Sequence, residues 1–243
     1  MEKSLSAPTE KSAKAPKKNL GFFDYLIMDI KHFFCFLKKD SDYKLAYKIL
    51  GNDFIPPEEI MRSRKRKGII YTDEQLMQFK KTVPTREILR WCRNNNFMLV
   101  AGPSRPMSLL EIRAIRNSHV FPKKRGWYAN HRFSQEDKVE TKWYMIRKEP
   151  VPGSTYKSLK RQLALLSDVE TVPNIAELTW AITAYKAVRD ICLFGETYAR
   201  TSSVDSDGDH VSAGYFMNEN LFIGSHWDSP DNNGLFTLSS ARK

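Results

Sequence analysis

Pro173–Asn174 opens a run, Ile175–Phe194, that stops at Gly195. Leu178, Ile182, Tyr185, Val188, Arg189 and Cys192 recur along one side of it. That is the helical period, bounded by ordinary start and stop residues. Beyond Gly195 the pattern changes. Tyr198–Val204, Val211–Phe216, Leu221–Trp227 and Leu235–Leu238 are β-like runs separated by Asp, Gly and Asn turns. A strong helix followed by closely spaced short strands implies the α+β class. The expected architecture is a helical N-terminal segment, a helix-rich middle and a C-terminal antiparallel β-meander packed on the long helix.

The middle supplies further elements. Thr72-Asp-Glu-Gln75 is close to a capping box and heads a helix, Asp73–Thr82. Pro84–Asn96 reads as another, with Ile88, Leu89, Trp91 and Cys92 near its apolar side. Phe97–Ala101 reads as a buried strand ended by Gly102–Pro103. Ser108 caps a helix at Leu109–Ile115, a strand is expected at Trp143–Arg147, and Leu159–Leu166 reads as helical. Ile69–Tyr71 reads as a short strand. These elements fall within one α+β domain, residues 70–243.

Two segments precede it. Residues 1–19 are polar, rich in Lys, Ser, Ala and Pro, and read as a disordered basic tail. Residues 20–69 read as a helical basic extension. In Leu20–Leu37, Phe22, Phe23, Leu26, Ile27, Ile30, Phe33, Phe34 and Leu37 share one arc, with Asp24, Lys31, His32 and Lys38 opposite. The charged residues interrupt the apolar run, so no bilayer-spanning segment is read here. A second helix, Asp42–Leu50, follows. Pro56–Pro57 with Glu58–Glu59 then starts a helix that runs into Arg62, Arg64, Lys65, Arg66 and Lys67.

Charge narrows the choice of partner. The chain carries 39 basic and 28 acidic residues, a net of +11, which favours anionic partners. The excess lies before Lys148; residues 149–243 hold 8 basic residues against 12 acidic. It peaks in Arg113–Lys148, where ten Lys and Arg stand among six aromatics and only three acids. Lys123, Lys124, Arg125 and Arg132 are candidate phosphate contacts there, and Trp127, Tyr128 and Phe133 are candidate stacking surfaces. In a strand, adjacent residues face opposite ways, so one member of each pair, Trp127–Tyr128 and Trp143–Tyr144, is expected in the core. Arg62–Lys67 matches a second nucleic-acid patch, or a solvated helix end.

Other motifs point to little chemistry. Cys35, Cys92 and Cys192 are odd in number and far apart, as buried thiols in a reducing, cytoplasmic compartment would be. No CxxC, P-loop, GxGxxG or HExxH is present, so neither a cofactor nor a metal is expected. Asp205–Asp209 starts like a calcium loop, but His210 and Phe216 stand where that loop needs Gly and Glu. Asp207–Gly208 reads instead as a hairpin turn. Ser225–His226 point apart on a strand and make no hydrolase pair.

Val100–Ile112 (VAGPSRPMSLLEI), Lys148–Thr155 (KEPVPGST), Tyr198–Asp209 (YARTSSVDSDGD) and Ser240–Lys243 (SARK) resemble a family of uncharacterised bacterial proteins, over about residues 84–243. The resemblance implies a bacterial, cytoplasmic protein and brings no activity, cofactor or site residue with it. Three functional readings stand. The first is a non-enzymatic nucleic-acid-associated protein making sequence-independent phosphate contacts to RNA or DNA. The second is a protein-interaction module docking through Leu20–Leu37. The third is a metal-independent RNase-like enzyme using His119 and His131.

Overall fold

The computed structural model describes residues 42–64, 69–116, 120–122, 126–226 and 234–243. In chain order it begins with helix α1 (42–50), strand β1 (Phe54–Ile55), and helices α2 (Pro57–Arg64), α3 (Asp73–Lys81) and α4 (Arg86–Asn94). Strands β2 (Phe97–Ala101) and β3 (Met107–Ser108) lead to helices α5 (Leu109–Arg116) and α6 (Phe133–Glu136). Then come β4 (Lys138–Val139), β5 (Trp143–Arg147), α7 (Leu159–Leu163), β6 (Glu170–Thr171) and α8 (Ile175–Arg189). The chain finishes with β7 (Tyr198–Val204), β8 (His210–Met217), β9 (Asn220–His226), β10 (Phe236–Leu238) and β11 (Ala241–Arg242). The class is α+β.

α8 is the hub. Its start is fixed by a reciprocal cap: the Asn174 side chain accepts from the Glu177 N–H, and the Glu177 carboxylate accepts from the Asn174 N–H, both at 2.9 Å. From Ile175 to Tyr185 every residue except Glu177 is buried. A helix apolar nearly all round has to be covered on more than one side. The Trp180 indole N–H donates to the Ala101 carbonyl at 2.8 Å, tying α8 to β2. Tyr185 donates to Asp53, and Arg189 donates to the carbonyls of Asn52 and Phe54.

Two sheets flank this helix. The five-stranded one runs β1-β2-β5-β11-β6, and the four-stranded one runs β10-β7-β8-β9. All five residues of β2 are buried, because the strand separates two cores. Met98 and Val100 face the large core with Trp180 and Ile112; Phe97 and Leu99 face a smaller one with Leu50, Leu89 and Cys92. This is the period-2 alternation of a strand covered on both faces. The layers are therefore α1 and α4, the five-stranded sheet, then α8 with α5, then the four-stranded sheet, which contributes Ala199, Val211, Ala213 and Ile223 to the large core. Residues 42–64 are built into this body: β1 pairs in parallel with β2, and Ile60 lies in the large core.

Several sequence-based boundaries move. α8 ends at Arg189, not Phe194, because Asp190 takes the left-handed conformation (φ 58°) and its N–H closes back on the Lys186 carbonyl. Ile69–Tyr71 forms no strand; Tyr71 instead donates its hydroxyl to the Gly102 carbonyl at 2.6 Å. α7 stops at Leu163 and passes into turns. β7, β8 and β9 form the expected antiparallel meander, but β10 pairs with β7 in parallel. The sheet is not built from the C-terminal runs alone, since the larger one comes mainly from the middle of the chain.

Two details hold the C-terminal half. β11 is wedged between β5 and β6, where Arg147 and Glu170 form a buried ion pair at 3.2 Å that also engages Ser240. In β8 a bulge falls at Gly214 (φ +139°), where a Cβ would meet the Thr197 carbonyl oxygen at 2.1 Å. Only glycine fits that backbone and that approach.

Candidate nucleic-acid interface

Most of the basic residues in Arg113–Lys148 that the structure describes serve the fold. Arg113 is buried and donates to the Tyr128 hydroxyl and the Pro122 carbonyl, each at 2.6 Å. Arg147 belongs to the β11 network. Lys138 pairs with Glu111 at 3.2 Å, and Lys148 pairs with Asp53 at 2.8 Å. Arg132 is exposed but held by Glu136 at 3.0 Å, one helical turn away. Lys123, Lys124, Arg125 and His119 lie outside the described residues, as do Lys65, Arg66, Lys67 and the whole of Leu20–Leu37. Arg62 is exposed on α2, and Arg64 closes that helix.

Trp127 has a structural task. Its indole N–H donates to the Ile223 carbonyl at 3.0 Å, on β9, the edge of the four-stranded sheet. The Leu221 N–H of the same strand donates to the Val120 carbonyl. Both contacts close an edge that would otherwise offer free backbone groups. Trp127 is still 43% exposed, while Tyr128 and Phe133 are buried, at 3% and 5%. The tyrosine is the buried member of each pair, but Trp127–Tyr128 lies on a 3-10 turn and not on a strand, and Trp143, half-buried, packs against both cores. His131 packs edge-on against Trp127 at 4.9 Å, and its Nδ1 is shielded from solvent with no hydrogen-bond partner.

A cleft of about 570 Å³ opens beside this cluster, lined by Arg132, Glu136, Asp137, Asn174, Ser203 and Asp205 among others. Its polar groups satisfy one another. Ser203 donates to Asp137, Ser225 donates to Asp205, Arg132 holds Glu136, and Asn174 caps α8. Burial alone would raise the Asp205 carboxyl. The Ser225 hydroxyl, the N–H groups of Asp209 and Asp207, and nearby His131 outweigh it and hold the carboxyl below its ordinary range. Those two N–H groups close the Asp207–Gly208 hairpin turn on Asp205 Oδ1. Among the described residues no three His, Cys, Asp or Glu side chains converge as a metal set would, and no helix is long and apolar enough to cross a membrane.

A denser group of exposed cations lies elsewhere, on the outer face of α1, α3 and α4. In α4, Leu89 and Cys92 point into the small core, and Arg86, Arg90 and Arg93 are exposed. Their spacing, i, i+4 and i+7, sets them in one row. In α1, Tyr43, Ala46 and Leu50 are buried, and Lys44 and Lys48 face out. Lys80 and Lys81 end α3. Two contacts bring the helices together. Lys80 Nζ lies 5.9 Å from the centre of the Tyr43 ring, and Arg93 Nη1 donates to the Ile49 carbonyl at 3.2 Å.

Lys48, Lys81, Arg86, Arg90 and Arg93 have no carboxylate of the described residues within ion-pair distance. The carboxylates on α1 and α4 themselves are Asp42 and Glu87, both exposed. Glu87 sits in the first turn of α4, where its own N–H first of all lowers the carboxyl, with Arg90 and Arg86 adding attraction. A scan for charge runs passes over this face, because its cations are scattered across about fifty residues. The available signal was the period of Arg86, Arg90 and Arg93 on the polar side of a helix already read at Pro84–Asn96.

No family model, curated protein or solved structure matches this chain. Its function has to be argued from its own surface.

Proposed function

We propose that this protein binds nucleic acid through sequence-independent phosphate contacts, without catalysing a reaction, and that the α1–α3–α4 face makes the central ones. The observation that carries the reading is the row of exposed cations with no carboxylate partner among the described residues: Arg86, Arg90 and Arg93, flanked by Lys48 and Lys81. Exposed and unpaired cations exchange their counter-ions for phosphate readily, whereas cations already held by carboxylates first lose that partner. Arg62 and Arg64 at the end of α2, Lys65, Arg66 and Lys67 next in the chain, and Lys123, Lys124 and Arg125 extend the same chemistry in this proposal. Arg132 and Trp127 are its outlying members, one held by Glu136 and the other by Ile223. A bacterial, cytoplasmic setting goes with it. Burial pushes the Cys92 thiol up to about 12, which suits an inert core cysteine.

Fluorescence anisotropy with labelled RNA and DNA at low salt tests the proposal. Replacing Lys48, Arg86 and Arg90 by Gln together should weaken binding at least tenfold. Arg105→Gln with Lys148→Gln, whose side chains are already held by Glu111 and Asp53, should leave it within twofold. Equal effects from the two sets, or no binding at all, would overturn the proposal.

A further inference from the structure

A run of apolar side chains around α7 faces solvent in the folded chain. Tyr156 is 71% exposed, Leu163 43%, Leu165 39% and Val169 37%. Single exposed apolar residues are ordinary, but a cluster of them marks an interaction surface. We infer that this lobe, α7 and the turns that lead to β6, docks on the surface of an anionic lipid bilayer.

The lobe is fixed at both ends. Gln162, fully buried, donates to the Ser154 and Phe236 carbonyls at 2.7 and 3.1 Å, and its Oε1 accepts from buried Arg200 at 2.9 Å. At the other end the Glu170 N–H donates to the Ser167 carbonyl, and the Lys243 N–H donates to the Val169 carbonyl. The polar Gln162 is thus turned inward while its neighbour Leu163 and nearby Leu165 are turned out. That is the reverse of the usual partition, and the buried Gln162–Arg200 contact is what holds it.

Charge selects the occupant. Lys160 and Arg161 are exposed beside the leucines, with no carboxylate of the described residues within ion-pair distance. Lys160 and Leu163, three positions apart, are neighbours on the helix surface. Lys243 adds a third cation, its Nζ on the Asp168 carbonyl at 3.1 Å. Against them, residues 156–170 expose the Asp168 carboxylate; Glu170 is buried against Arg147. Leucines rimmed by Lys and Arg suit a bilayer surface, where apolar side chains enter the acyl boundary and cations meet acidic headgroups. A nucleic acid would meet the cations but offer the leucines no apolar surface.

Co-sedimentation of the full chain with vesicles tests this, using phosphatidylcholine alone and equal parts phosphatidylcholine and phosphatidylglycerol. Two double variants are compared with the wild type: Leu163→Gln with Leu165→Gln, and Lys160→Gln with Arg161→Gln. All four positions are exposed, and far-UV circular dichroism confirms the fold. The wild type should bind the acidic vesicles at least tenfold more tightly than the neutral ones. Each double variant should weaken acidic-vesicle binding by about tenfold or more. The leucine variant should keep its nucleic-acid affinity within twofold, which separates this surface from the α1–α3–α4 face. No binding of acidic vesicles, or either variant binding them like the wild type, would overturn the inference. So would a wild type that sediments as a dimer without vesicles and a leucine variant that sediments as a monomer, since the patch would then belong to a second copy.

Discussion

Glu170→Ala should destabilise the protein by about 3–4 kcal/mol. The Glu170 carboxylate accepts from Arg147 Nη2 at 3.2 Å, Ser240 Oγ at 2.9 Å, Ser167 Oγ at 2.8 Å and the Ser167 N–H at 3.2 Å. The Arg147 and Glu170 side chains are only 11% and 7% exposed. Truncation would strand the Arg147 guanidinium away from water, and losing one partner of a buried pair costs about 3–5 kcal/mol. Arg147 keeps the Asn95 carbonyl at 2.9 Å and its place over the Phe97 ring at 4.8 Å, which puts the loss near the lower end. Urea unfolding at neutral pH would read it, and the melting temperature should fall by roughly 6–16 °C. Arg147→Met added to Glu170→Ala should recover part of the loss, because the double variant buries no unpaired charge. A loss below about 1 kcal/mol, or a double variant less stable by the full sum of the two changes, would refute the account of how β11 is held.

Three further outcomes follow from the same structure. Trp127→Phe deletes the hydrogen bond to Ile223 and should cost about 1 kcal/mol in denaturant melts; an unchanged midpoint would remove its edge-closing role. Gly214→Ala should cost roughly 2–3 kcal/mol or abolish soluble expression, since the new methyl group would meet the Thr197 carbonyl at a left-handed backbone position. In acid, stability should fall from about pH 4.5 downward. Burial would raise Glu111, but the Ser108 N–H, Arg105 and Lys138 hold it down at about 2, and Glu170 and Asp205 are likewise lowered. Carboxyls lowered in the folded state stabilise above their unfolded range and lose that contribution as protons bind. Glu177 is raised, foremost by burial, so protonating it acts in the opposite sense. Thermal melts from pH 5 to 2.5 should show the fall, shallower in Glu111→Gln; identical slopes would contradict it.

How much of this was legible in the chain depended on how local the cause was. The start of α8 was readable because Asn174 and Glu177 satisfy each other's backbone within one turn. Its end was not, since Asp190 carries no glycine's signal for the left-handed conformation it adopts. β1 and β11 are two residues each, too short to show alternation, and their places come from long-range pairing with Leu99, Ile146 and Thr171. The parallel pairing of β10 with β7 is equally non-local. The basic composition of Arg113–Lys148 was plain, but Arg113, Arg147, Lys138 and Lys148 turn out to bind partners up to 95 positions away. Linear charge density cannot separate such cations from those left facing solvent. The helical period could, and on α4 it does.

The central claim is that Lys48, Arg86 and Arg90 meet phosphates directly. Its most direct test is the dependence of the binding constant on salt, measured for the wild type and for the triple Gln variant on one duplex probe. Each lost phosphate contact lowers the steepness of log K against log salt by about 0.9. The account predicts a slope shallower by roughly 2–3 in the variant; an unchanged slope would contradict it, even if the affinity fell.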